Sequence, residues 1–118
     1  MKVLLLSHGR MAEGIHQAVE MITGPQSELV SLGLLESESP MEFMARVKSL
    51  LPDEPFVVLV DLKGGTPFNV VSVLQRERRF PIFTGMNLPM ALEVVLGMKE
   101  DKMEEIPEKT RVSIELIR

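Results

Sequence analysis

The chain has 118 residues, a net charge of −4, two histidines and no cysteine. That length suits one domain able to bury an ordinary core, and the missing cysteines exclude both a disulfide framework and a zinc–thiolate site. Interspersed charges with a slight acidic excess, and aromatic residues at 4% that are all Phe, argue against nucleic acid as the partner.

The N-terminal run Val3-Leu4-Leu5-Leu6 reads as a strand buried on both faces. It is too short for a signal peptide and is broken by Ser7-His8-Gly9-Arg10; no stretch is long enough to span a membrane, and the expected location is the cytoplasm. A helix follows over Met11–Thr23, with Met11, Ile15, Val19 and Ile22 at helical spacing and Gly24-Pro25 ending it. Residues 29–32 form a short second strand. Ser39, Pro40 and Glu42 spell a capping box with proline at the first helical position, and Phe43, Met44, Val47 and Leu51 supply that helix's apolar face.

Residues 56–60 are the clearest buried strand, ending at Asp61. Gly64-Gly65 then makes a turn, Thr66 is placed to cap a helix and Pro67 to begin it. A fourth strand is expected over residues 80–83, and Asn87 caps a helix running from Leu88 to about Met98. The acidic stretch 99–105 reads as solvated surface. Val112, Ile114 and Leu116 alternate with Ser113 and Glu115, the pattern of a half-exposed antiparallel edge strand. Four alternations of strand and helix predict a single three-layer α/β domain, doubly wound around a mostly parallel sheet of order 2-1-3-4, with a C-terminal antiparallel edge strand.

In such sheets ligands sit at the carboxyl ends of strands where the winding reverses, here between strands one and three. Strand one ends in His8; strand three ends in Asp61 and the turn Gly64-Gly65-Thr66. A carboxylate accepting one imidazole N–H fixes the tautomer and makes the other nitrogen more basic, while free helix-start amides and a hydroxyl offer donors to an oxyanion. These parts together suit attack on a phosphoryl group without metal or cofactor. Each has a plainer use: Asp61 as a turn cap, the glycines as a turn, Thr66-Pro67 as a helix start. His16 reads as structural, the cluster Arg76, Arg78 and Arg79 as a solvated helix end, and the nine methionines as core filler.

Three segments carry a resemblance along nearly the whole chain: "SHGRMAEGIHQAVEMITG", "VDLKGGTPFN" and "TGMNLPMALE". In this order and spacing the chain resembles the IIA component of the mannose, fructose and sorbose family of the phosphoenolpyruvate:sugar phosphotransferase system. The resemblance implies that His8 accepts phosphoryl, at its ε2 nitrogen, from the phosphorylated carrier protein HPr and passes it to a IIB component, coupled to membrane IIC and IID components and sugar uptake. It places Asp61 on the carboxylate that orients the histidine, and Gly64, Gly65 and Thr66 beside the phosphoryl group. It also implies a homodimer that exchanges the C-terminal strand. Arg10 and Lys63 depart from the tryptophans often found there and, with Asn87, are candidates for partner docking. The chain stops after the edge strand, which fits a free-standing IIA component.

Other classes fit less well. A receiver-like domain phosphorylated on Asp61 needs acidic residues after strand one, where Ser7-His8 stands. A histidine phosphatase needs arginine directly before the histidine. A flavodoxin-type flavin or nucleotide binder lacks its aromatic sandwich. The phosphohistidine domain feeding dihydroxyacetone kinase shares the fold type but not a GGTPFN segment, and a regulatory use of the same histidine is a further alternative.

Overall fold

The computed structural model of the protein describes residues 1–97 and 100–118; the expected helix end at Met98 and the start of the acidic stretch at Lys99 lie outside them. Strands β1 (Lys2–His8), β2 (Leu29–Leu34), β3 (Phe56–Val60) and β4 (Ile82–Thr84) form one sheet in the order β2-β1-β3-β4. Every pairing is parallel. Helices α1 (Met11–Thr23), α2 (Pro40–Leu50), α3 (Thr66–Glu77) and α4 (Leu88–Gly97) alternate with the strands.

Handedness sets the layers. Parallel crossovers are right-handed, so stepping from β1 to β2 puts α1 on one face, and stepping back across β1 to β3 and β4 puts α2 and α3 on the other. The two faces of β1 and β3 are both dry. Val3, Leu5, Val57 and Leu59 pack with Ala12 and Val19 of α1 and with Met90, Ala91 and Val94 of α4. Leu4, Leu6, Val58 and Val60 pack with Phe43 and Val47 of α2 and Val70, Val71 and Leu74 of α3. Unbroken apolar runs therefore mark the two central strands, as period-two packing on both faces demands.

Local signals set the helix ends. Ser39 Oγ accepts from the Glu42 amide at 3.1 Å and Glu42 Oε1 accepts from the Ser39 amide at 3.1 Å, completing the expected capping box before Pro40. Asn87 Oδ1 accepts from the Met90 amide at 2.9 Å and so caps α4. Arg78, expected to be solvated, donates to the carbonyls of Asp53 and Glu54 and lies over the Phe56 ring, tying the end of α3 to the start of β3.

Several expectations are corrected. The buried face of α1 is Ala12 and Val19, whereas Met11 and Ile22 are exposed. Thr66 is not the cap of α3: Gly65 holds that position and no side chain caps the helix. β4 begins at Ile82 because Phe80 turns into the α2–α3 core. The acidic stretch is solvated as expected at Asp101, Lys102, Glu104 and Glu105, but it carries regular structure. Residues Glu100–Glu105 form a 3-10 helix and Ile106–Arg111 form α5, which buries Ile106 and Thr110.

The expected antiparallel edge strand does not form within the chain. Residues 114–118 carry no regular structure, and Ile114, Leu116 and Ile117 are at least three-quarters exposed. A strand needs a hydrogen-bonded neighbour, and the tail beyond α5 pairs with no strand among the described residues.

Gly33 in β2 permits the close approach that seats the first loop. A Cβ there would lie 1.7 Å from the Gly9 carbonyl oxygen, and the Gly9 amide donates to Leu34 O at 2.9 Å. Gly33→Ala must push the β1–α1 loop off β2 and is expected to cost about 3 kcal/mol, measured as a lowered denaturation midpoint. An unchanged midpoint would show that the loop is not held there.

Candidate functional site

The site stands at the carboxyl ends of β1 and β3, where the order of the sheet reverses. Neighbouring registers bring the two strand ends level: Leu6 pairs with Val60, and the Asp61 amide donates to Leu6 O at 3.2 Å. His8 and Asp61, 53 positions apart in sequence, thereby meet.

Asp61 Oδ2 accepts from the His8 backbone amide at 2.9 Å and lies 2.7 Å from His8 Nδ1. Its other oxygen, Oδ1, accepts from the Leu62 amide at 2.9 Å. The carboxylate is thus held at both oxygens, and a carboxylate can only accept, so the proton of the ring lies on Nδ1. Nε2 then carries the free lone pair. The two side chains differ in access: His8 is 48% exposed and Asp61 9%. Burial pushes the Asp61 carboxyl upward, but the His8 amide, the His8 ring and the Leu62 amide outweigh it and hold the group below its ordinary value. Asp61 is therefore an anion at neutral pH, beneath a half-exposed ring.

Gly65 closes the other side of the ring. A Cβ on Gly65 would fall 2.6 Å from His8 Cε1 and 3.3 Å from Nε2. The preceding Gly64 turns the chain with a φ of 91°. The uncapped start of α3, with its amides and the positive end of its dipole, thus adjoins the free nitrogen.

The remaining predicted residues stand at the rim. Thr66 opens α3. Arg10 is exposed and its ion pair with Glu13 is loose, at 3.4 Å. Lys63 is exposed between Asp61 and Gly65. Asn87 turns its side chain to its own backbone, capping α4 and donating to Gly85 O at 3.1 Å. Its loop lies beside the site because the Met86 amide donates to Val60 O at 3.0 Å. Among the described residues no hydrogen bond joins Thr66, Arg10, Lys63 or Asn87 to His8 or Asp61. His16 is elsewhere, with Nδ1 2.8 Å from Ser31 Oγ and Nε2 3.5 Å from Glu20, between α1 and β2.

Sequence reasoning passed over Ser7. It is fully buried; its hydroxyl donates to the His8 carbonyl at 3.0 Å and accepts from the Ala12 amide at 2.8 Å. It pins the backbone of His8 to the start of α1. A serine just ahead of a helix start is the signal that could have found it. Gly33 offered no such signal, because its partner lies in another strand connection.

Fold and site together define an open α/β domain that presents one histidine, oriented by an aspartate, at the switch point of its sheet. The family model described as "PTS system fructose IIA component" (EIIA-man) matches residues 2–111. The chain belongs to this family of sugar phosphotransferase system IIA components.

Among curated relatives, the fructose-specific EIIA component of Bacillus subtilis is 29% identical over 83% of this chain and 70% of its own length. The mannose-specific EIIAB component of Escherichia coli K12 is 25% identical over 84% of this chain; the match spans only 32% of that longer protein. Among solved structures, EIIA from Streptococcus agalactiae superimposes with a TM-score of 0.90 at 30% identity, covering 98% of this chain and 95% of that one. The mannose/sorbose-specific IIA subunit from Enterococcus faecalis gives 0.90 at 28% identity, covering 99% and 94%. A sigma-54 interaction domain protein from Enterococcus faecalis, at 16% identity and a TM-score of 0.77, shares the fold.

Proposed function

We propose that residues 1–118 act as a single phosphoryl-carrier domain of the sugar phosphotransferase system, with His8 as the acceptor. The observation that carries this is the 2.7 Å contact of His8 Nδ1 with the anionic Asp61, which puts the proton of the neutral, half-exposed ring on Nδ1 and its lone pair on Nε2.

The chemistry follows from those parts. The Nε2 lone pair attacks the phosphorus of a phosphohistidine on the donor, phospho-HPr. The new N–P bond forms as the donor's N–P bond breaks, and the donor imidazole leaves with the electron pair. No proton has to move at His8, because Nδ1–H stays on Asp61 throughout. As Nε2 gives up its lone pair the ring gains positive charge, so the bond to Asp61 is stronger in the transition state than before it. Amides at the Gly65–α3 junction are placed for the phosphoryl oxygens, with Gly64 shaping the turn and the Thr66 hydroxyl beside them. The reverse exchange, with a IIB component as acceptor, discharges the carrier toward the membrane IIC and IID components.

Arg10 and Lys63 at the rim, with Asn87 on the neighbouring loop, are the residues we assign to partner docking; exposed charges of this kind act mainly on association rate. No helix among the described residues is long and apolar enough to cross a membrane, in keeping with work in the cytoplasm. The exposed, alternating tail supports a homodimer in which each tail completes the sheet of the other. Deleting residues 112–118 is expected to convert the dimer to monomer in light scattering while the α/β core keeps its circular dichroism; an unchanged dimer would reject the exchange.

The test of the carrier role is incubation with phosphoenolpyruvate, enzyme I and HPr, followed by addition of a IIB protein. Expected are one added phosphoryl group per chain and its loss to IIB. A chain that stays unlabelled in the presence of competent phospho-HPr would overturn the proposal.

A further inference from the structure

Nothing local requires glycine at position 65. Its φ of −83° and ψ of 171° are extended backbone that any residue adopts. It occupies the N-cap of α3, where glycine is accepted but Ser, Asp and Asn cap better, and no side chain caps this helix. Replacing a glycine of ordinary dihedrals normally stabilises a chain by restricting its unfolded state. Serine at this position would satisfy both preferences.

The reason against it is not local. The space that a side chain would enter is already filled: His8 Cε1 lies 2.6 Å and Nε2 3.3 Å from the position of a Cβ, with Leu62 Cδ2 at 3.5 Å. The ring is held from behind by Asp61 at 2.7 Å, so it cannot retreat without leaving its carboxylate. A capping hydroxyl would do a second harm. The second helical residue is Pro67, which has no N–H, so the cap would bond the Phe68 amide and take a donor from the anion site.

We propose that Gly65 is a positioning residue. Its bare Cα lets the His8 ring sit on Asp61 with Nε2 forward, and it leaves the first amides of α3 open to phosphoryl oxygens at the expense of helix capping. The second half of this statement rests on the carrier role proposed above; the first half does not.

The test is a double-mutant cycle of Gly65→Ser in the wild-type and His8→Ala backgrounds, with Gly65→Ala as the variant that adds a Cβ but no capping oxygen. With the ring removed, Gly65→Ser is expected to raise the melting temperature by about 2–5 °C. With the ring present, that gain disappears or reverses. Nitrogen-15 spectra of the His8 ring should show loss of the Nδ1–H preference in both variants, and phosphoryl acceptance should fall at least about tenfold, one such factor being worth about 1.4 kcal/mol. A variant that folds only in the His8→Ala background is the extreme form of the expected coupling.

Equal melting shifts in the two backgrounds, or an unchanged His8 tautomer, overturn the proposal, as does failure to fold in both. If the wild-type protein takes no phosphoryl group, the carrier role fails while the melting and nitrogen-15 results still decide the placement of the ring.

Discussion

His8→Ala is expected to abolish phosphoryl acceptance and to leave a folded protein. The ring lies at the mouth of β1, half exposed, outside both apolar layers. Its removal takes one of the three hydrogen bonds from Asp61, whose oxygens keep the amides of His8 and Leu62. Losing a bond of this kind costs about 1 kcal/mol, well within the stability of an ordinary domain. Intact-mass measurement after incubation with phospho-HPr, beside a thermal melt, checks both halves. Residual stoichiometric labelling would move the acceptor elsewhere. Collapse of the fold would show that the ring carries structural weight that its exposure does not suggest.

Asp61→Asn is expected to slow transfer by about 30- to 1,000-fold, the equivalent of roughly 2–4 kcal/mol in the transition state. The amide removes the negative charge that balances the developing imidazolium. If its NH2 faces the ring, it also donates to Nδ1 and drives the proton to Nε2, which silences the nucleophile. The same substitution has a pH signature. Folding lowers the Asp61 pKa, so the unfolded chain binds this proton more readily than the native one. The stability gained is present above the unfolded value near 4 and is lost as pH falls through the lower native value. The stability difference between wild type and Asp61→Asn should therefore shrink on acidification below about pH 4. Unchanged transfer rates, or a difference that grows on acidification below about pH 4, would remove Asp61 from the proposed role.

Much of this was legible because its causes are local or topological. The Ser39-Pro40-Glu42 box and the Asn87 cap are short-range chemistry, and each formed as expected. His8 and Asp61 stood out because both end buried apolar runs, and a βαβ chain brings such ends to one edge. What could not be read involves contacts between distant segments. The approach of Gly33 to Gly9 and the seat of the His8 ring on Gly65 depend on pairs that no local pattern reports. Helix α5 escaped notice because it is short, charged and buries only Ile106 and Thr110. The tail misled in the opposite way: alternation at 112–117 describes what a strand would need, but among the described residues the tail does not pair with either edge of its own sheet.

The central claim concerns one nitrogen atom. Nitrogen-15 spectra of the imidazole rings, recorded before and after phosphorylation, read it directly. We expect His8 to hold its proton on Nδ1 in the unmodified protein and to acquire phosphorus coupling on Nε2, with Nδ1 still protonated and His16 unchanged. Phosphorus on His16, on Asp61 or on Nδ1 of His8 would contradict the account.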